Sequence, residues 1–260
     1  MKITYNSPNY SHHYPYAEAM NKLGVLNFFI SGVSRFNKKS NKNNLKEKLK
    51  RHDFYQNIFI ASRMLSWNKS IQSFLATNSQ KAIDKASFKY SKKSDFFIYY
   101  RGCGINTTKR LKKLGFNTIS ILEEVNTHIE FQEEILNEEA SRLGIPINKK
   151  TSKFKRQIES YYSADFILCP STFVAKSFIN KGFDPDKLII NNFGREILNK
   201  DITIETNENE FKLLYVGQIH YRKGLRYAIE AFKKMSYLRK KFYLVGPITG
   251  PSGIDLKKLP

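Results

Sequence analysis

The chain has 260 residues, 41% of them apolar, enough for about two compact units with buried cores. Its 44 Lys and Arg against 23 Asp and Glu give a net charge of +21, while 14% aromatic content excludes a disordered basic tail. No apolar run reaches the roughly 18 residues that span a bilayer, the N-terminus lacks a signal-peptide core, and Cys103 and Cys169 form no C-x-x-C pair. An integral membrane protein is therefore excluded, a disulfide framework and a thiolate zinc site are unsupported, and the expected compartment is the cytoplasm.

Short apolar runs rich in β-branched or aromatic residues predict strands at Ile3–Asn6, Val25–Ser31, Ile58–Ala61, Phe96–Tyr100, Thr118–Glu123 and Asp165–Cys169. Helical spacing falls between them. The segment Ile129–Leu143 places Ile129, Ile135, Leu136, Ala140 and Leu143 on one side and stops at Gly144 and Pro146, and Val174–Asn180 is closed by Gly182. Alternating strands and helices predict the α/β class with parallel sheets. A polar stretch without period, 196–210, reads as a linker between a first domain at 1–195 and a second at 211–260. In the second, Phe211–Gly217 reads as a strand, Leu225, Ala228, Ile229 and Phe232 as one face of a helix, and Phe242–Gly246 as the next strand. One βαβ unit cannot cover both faces of its own sheet.

Several chemistries are tested by spacing and dismissed. Gly102-Cys103-Gly104 opens like a dinucleotide fingerprint, but Thr107 stands where a third glycine is needed, so it reads as a turn. Asp184-Pro185-Asp186 reads as a loop leading to a strand at Lys187–Ile190. His12 and His13 are adjacent, and neighbours in a regular element point apart, so no metal site is expected. There is no Walker-A loop, H-E-x-x-H or G-x-S-x-G. The basic surplus has three functional readings: an anionic membrane surface, nucleic acid or phosphorylated substrates. It also fits an AT-rich coding bias. No nucleic-acid reading element accompanies it, so no nucleic-acid partner is expected. Its densest run, Asn37–Arg51, reads either as a solvated loop or as a contact with lipid headgroups.

Four segments in order resemble the glycosyltransferase family 4 enzymes, which have two facing Rossmann-like domains (the GT-B fold). They are Tyr10–Met20 with Leu23-Gly24; Glu123–Gln132; Tyr161–Val174 with Lys181-Gly182-Phe183 and Lys187–Ile190; and Leu214–Gln218 with Arg222–Leu225. The third is similar to the family's ADxIxxPSxFV element and the fourth to its diphosphate loop. The resemblance implies a GT-B-like α/β fold, with an acceptor-side Rossmann-like domain followed by the first βαβ unit of a nucleotide-sugar domain. It implies transfer of a sugar with retention, from a nucleotide sugar to a glycan or lipid-linked acceptor, in surface polysaccharide assembly at the inner membrane face. No cofactor and no metal are implied.

Carried onto this sequence, the resemblance makes His128 the catalytic candidate, contacting the donor sugar. Gly217, Gln218, Arg222, Lys223 and Gly224 become the donor loop, and His12, His13, Tyr14, Glu123 and Glu124 the acceptor side. The residues support the loop independently, because a strand ending in glycine before a basic helix N-terminus offers N–H groups and countercharge to a diphosphate. Gln218 stands where many relatives carry Arg. Family members continue into an E-x7-E element that nothing here matches, so a C-terminally truncated frame is expected. The alternatives are a non-catalytic remnant, a carbohydrate-binding module, or a basic nucleic-acid binder.

Overall fold

The computed structural model describes residues 1–146, 152–194, 210–237 and 239–251. The expected linker at 196–210 lies outside the described residues except for Glu210. In chain order the first elements are β1 (Ile3–Ser7), α1 (His13–Lys22), β2 (Leu26–Ser31), α2 (Lys38–Asn41), β3 (Leu49–Arg51), α3 (Phe54–Met64), α4 (Lys69–Ser91) and β4 (Phe96–Tyr100). They are followed by α5 (Ile105–Lys113), β5 (Ile119–Glu123), α6 (Ile129–Arg142), α7 (Ser152–Ser163), β6 (Phe166–Cys169), α8 (Thr172–Ile179) and β7 (Leu188–Ile190). The last three are β8 (Phe211–Val216), α9 (Leu225–Lys234) and β9 (Lys240–Val245).

Contacts divide the chain into two units, Met1–Phe131 with Lys150–Gly194, and Gln132–Lys149 with Arg195–Pro260. Segment 132–149 thus groups with the second unit, although the sequence expectation placed it in the first. The first unit carries a seven-stranded sheet in the order β3-β2-β1-β4-β5-β6-β7, every pair parallel. Parallel strands need apolar cover on both faces. Tyr5, Tyr14, Ala17, Leu26, Phe29, Val33 and Leu45 form one core cluster, and Phe97, Tyr99, Leu111, Leu122, Tyr161, Ile167 and Phe178 belong to another. The fold is α/β, a parallel sheet wrapped by helices.

Two departures from the sequence expectations have local causes. Ile58–Ala61, expected as a strand, lies inside the 11-residue α3, because an apolar run of four is equally compatible with a buried helical turn. The 23-residue α4 escaped notice because its inward positions are largely small and polar: Ser79, Asp84, Ser87 and Ser91 are buried. The glycine turn leads into α5 as expected. A Cβ on Gly104 would meet the Tyr99 ring at 2.3 Å, so only glycine fits there.

In the second unit β8 and β9 pair in parallel, and α9 covers one face with Leu225 and Ile229 against Tyr215, Phe242 and Leu244. The opposite face leaves Leu214, Val216, Tyr243 and Val245 exposed. Pleat alternation sends every second side chain there.

Candidate functional site

The strand order of the first unit reverses between β1 and β4, and open α/β sheets bind ligands beyond the carboxyl ends of strands at such a switch. Glu123, the last residue of β5, is buried at that end. His12 Nε2 lies 2.8 Å from its Oε1, the Tyr5 hydroxyl donates to its Oε2 at 2.7 Å, and His13 Nδ1 is 3.1 Å from the same oxygen. Tyr5 and His13 also share a short hydrogen bond. Burial alone would raise the Glu123 pKa, but the bonds from His12, His13 and Tyr5 outweigh it and hold it at about 2. Burial lowers the His13 pKa and raises that of Tyr5 well above its ordinary value, so both stay neutral beside the carboxylate.

The expectation that His12 and His13 point apart is overturned. His12 is the N-cap of α1 and His13 its first residue, so the alternation of a regular element does not govern the pair, and both imidazoles converge on one carboxylate. One ligand atom each from His12, His13 and Glu123 lies within 4.8 Å of the others, so the three could hold a divalent cation. The His12 ring, 22% exposed, sits at the mouth between Tyr16 and Phe193, with Nδ1 3.3 Å from Ser11 Oγ.

Tyr14 departs from its expected acceptor role. A helical step of one residue turns about 100°, which aims Tyr14 at β2 while His13 faces Glu123. Tyr14 is 1% exposed and its hydroxyl shares a 2.9 Å bond with Ser31 Oγ. Glu124 is also fully buried, with Arg101 at 3.3 Å and the Val125 and Asn126 N–H groups donating to its Oε1. Burial raises its pKa against the pull of Arg101. It anchors the chain after β5.

His128 departs further. It stands five residues beyond β5, directly before α6, and is 2% exposed among Tyr161, Phe178 and Phe183, with ring centroids 4.8, 5.2 and 5.6 Å away. Its Nδ1 accepts the Glu130 N–H at 3.3 Å, and its own N–H donates to Ser177 Oγ at 2.9 Å. The chain continues past the strand end before the helix begins, which carries this imidazole into the aromatic core, where it packs and caps the start of α6.

Sequence reasoning missed a cavity of about 250 Å³ beside the cluster. Asn9, Gln56, Gln80 and Gln157 are among its lining residues, with Tyr100 and Phe59 as aromatic wall. Two guanidiniums complete it, each tied to a buried carboxylate: Arg101 to Glu124 and Arg156 to Asp84, both at 3.3 Å. Charge in the lining is thus nearly balanced. Asp84 also accepts the Asn106 and Thr107 N–H groups at 2.9 Å, so the N-terminus of α5 is capped by a carboxylate. No local motif announces this cavity, because its walls come from five distant segments.

In the second unit Gly217 follows β8, and Gly224, at φ 65°, is the left-handed N-cap of α9. Between them His220 Nδ1 accepts the Arg222 N–H at 3.2 Å, and the Tyr215 hydroxyl donates to the Gln218 carbonyl at 2.8 Å. Gln218, Arg222 and Lys223 are exposed. The five expected donor-side residues therefore fall on one turn leading into a helix N-terminus, where backbone dipoles favour an anion.

No protein-family model matches the chain, and no curated protein matches it. Among solved structures, the apo form of the lipopolysaccharide outer core galactosyltransferase WaaB is similar over 96% of this chain, at 12% identity and a TM-score of 0.57. The chain spans 62% of that structure's length. A glycotransferase of kitacinnamycin aligns over 100% of this chain and 69% of its own, at 12% identity and a TM-score of 0.45. The likeness to WaaB is one of fold.

Proposed function

We propose that the protein transfers a sugar from a nucleotide-sugar donor to a glycan or lipid-linked acceptor, with retention, in cytoplasmic assembly of surface polysaccharide. The observation that carries the reading is the pairing of two features in their family order. They are a His-Glu cluster and cavity at the switch point of the first sheet, and a basic turn at the N-terminus of α9 in the second unit. The domain division at about residue 195 and the roles of the donor-side residues belong to this proposal. In it Gly217 and Gly224 let the backbone approach the diphosphate, Gln218 donates a neutral hydrogen bond, and Arg222 and Lys223 balance charge building on the leaving group. His12, oriented by Glu123, positions the acceptor hydroxyl. The galactosyl transfer named for WaaB supports a hexose donor in this reading.

Calorimetry with UDP and GDP, followed by mass spectrometry of sugar release from their hexose conjugates, tests the proposal. Binding that weakens about tenfold in an Arg222→Ala, Lys223→Ala double variant is expected. Retention of neutral oligosaccharides with no nucleotide binding at all would favour the carbohydrate-binding module instead, a reading to which the amide-lined cavity lends weight.

A further inference from the structure

Helices α3 and α4 form a hairpin in which α4 turns Leu75 and Ile83 inward but the amphipathicity of α3 is reversed. Water-soluble helices turn apolar residues inward, yet α3 buries Gln56 and Ser62, with Ser79 of α4 donating to Gln56 Oε1 at 2.8 Å. Its outward positions carry Phe54, Ile60 and Met64, exposed by 68, 41 and 80%. Leu65 and Trp67 in the turn, then Ile71 and Phe74 on α4, continue that surface. The turn is held in shape. The Trp67 N–H donates to the Ser62 carbonyl at 2.8 Å, and Asn68 caps α4 by accepting the Ser70 N–H at 2.7 Å. Large apolar side chains exposed together on one hairpin mark an interaction site.

The charges on the hairpin have one sign. From Phe54 to Ile83 the sequence contains no Asp or Glu, while Arg63, Lys69 and Lys81 are exposed along it. The bounding acids are withdrawn: Asp53 is buried against Arg35 at 2.9 Å, and Asp84 against Arg156. Exposed apolar side chains flanked in sequence by cations, with a half-exposed tryptophan among them, are the composition that lies in a headgroup layer. No helix among the described residues is long and apolar enough to cross a membrane, so the hairpin would rest on the surface.

The position is apt. The 23 residues of α4 extend about 35 Å at 1.5 Å per residue, roughly twice the length of the five-residue β4 that follows it. Because α4 ends beside the start of β4, its overhang, with Lys69 at the tip, rises at the carboxyl ends of the strands, where the amide-lined cavity opens.

We infer that the outer face of the α3–α4 hairpin docks on an anionic lipid bilayer, with Met64, Leu65, Trp67 and Phe74 entering the interface and Arg63 and Lys69 meeting headgroup phosphates. This does not depend on the transferase reading, and its failure would leave that reading untouched.

The test uses the full chain and exploits Trp67, the only tryptophan. Vesicles of phosphatidylglycerol and phosphatidylcholine should sediment with the protein at 0.1 M salt and shift Trp67 emission to the blue, and pure phosphatidylcholine should do neither. A Met64→Glu, Leu65→Glu, Phe74→Glu variant should lose at least tenfold in vesicle affinity with an unchanged melting temperature. Quenching of wild-type Trp67 by doxyl-labelled lipid gives a readout that needs no variant. Absence of both sedimentation and quenching would overturn the proposal. So would binding that survives the apolar variant but vanishes in Lys38→Glu, Lys39→Glu, Lys42→Glu, which would assign the contact to the basic run. A wild-type dimer that the apolar variant dissociates, without vesicle binding, would assign the face to a second copy of the chain.

Discussion

Glu123 concentrates three donors on one buried carboxylate, and that gives it two separable effects. Glu123→Gln keeps the shape but replaces one oxygen with an NH2 that faces donors, so a loss of about 1–3 kcal/mol in stability is expected from the unsatisfied buried groups. Turnover of any bound acceptor should fall by more. The acid limb gives the sign. A carboxyl held at about 2 in the fold, against its ordinary 4.5, stabilises the native state above pH 4.5, and that contribution is lost as pH falls toward 2. The melting-temperature gap between wild type and Glu123→Gln should therefore be full above pH 4.5 and shrink below it. A gap independent of pH across that window would show that the carboxylate is not ionised in the fold. His13, whose pKa is lowered by burial, adds to acid sensitivity earlier, since the unfolded chain takes up its proton from about pH 6.5 downward. His128 makes a contrasting case at the same scale. Removing its ring from among Tyr161, Phe178 and Phe183 leaves a cavity, and His128→Ala should cost about 2–4 kcal/mol in urea unfolding. An unchanged midpoint with reduced turnover would restore the catalytic role read from its sequence position.

At the scale of elements, Gly224 ties local conformation to binding. Its φ of 65° lies where an L side chain is strained, and nothing but Tyr227 Cδ2 at 3.8 Å stands near an added Cβ, so Gly224→Ala meets a backbone penalty and almost no clash. About 1 kcal/mol of lost stability is expected, together with weaker nucleotide binding as the turn carrying Arg222 and Lys223 shifts. Chemical denaturation and calorimetry on the same variant check both parts, and lost stability with intact nucleotide affinity would detach the turn from the donor. The sequence made this turn legible because glycine, a basic pair and a 3.6-residue apolar spacing are local signals. It made most of the parallel strands legible for the same reason, with β1, β2, β4, β5 and β6 each found within a residue or so. The short β3 and the long α4 were not. β3 has three half-buried residues and no apolar run, and α4 interleaves Leu75 and Ile83 with buried serine and aspartate, so the hydrophobic period of its inward face is broken. The site was legible in parts: Glu123 and both histidines could be named, but their meeting could not. It depends on His12 standing at a helix cap and on strands 118 residues apart in sequence bringing Tyr5 to Glu123. Tyr14 and His128 are expected at the site from their place along the chain, and the packing that buries them is set by distant segments that no local signal announces.

Across the whole molecule, apolar surface is distributed unevenly between the two units, and that has a dynamic consequence. The first unit closes layers of helices over both faces of seven strands, with Tyr5, Phe29, Phe97, Tyr99 and Leu122 essentially inaccessible. Among the described residues, the second pairs two strands whose one face packs on α9, and it leaves Leu214 and Val216 exposed by 62 and 71% on the other. Each exposed Leu or Val forgoes part of the roughly 1.5–3 kcal/mol that full burial would supply. Local opening follows the density of buried apolar contact, so amides of Phe211–Val216 and Lys240–Val245 should exchange with solvent at least a hundredfold faster than those of β1, β4 and β5. Hydrogen exchange read by mass spectrometry resolves these peptides in a single experiment on the intact chain. Equal protection in both sheets would mean that the exposed face of β8 and β9 is covered in solution. In that event Val216→Lys should abolish the protection selectively. If protection is low as expected, the same substitution should leave exchange unchanged and lower the tendency to aggregate, because a charge on an uncovered strand face blocks contact between exposed sheets without removing any native packing.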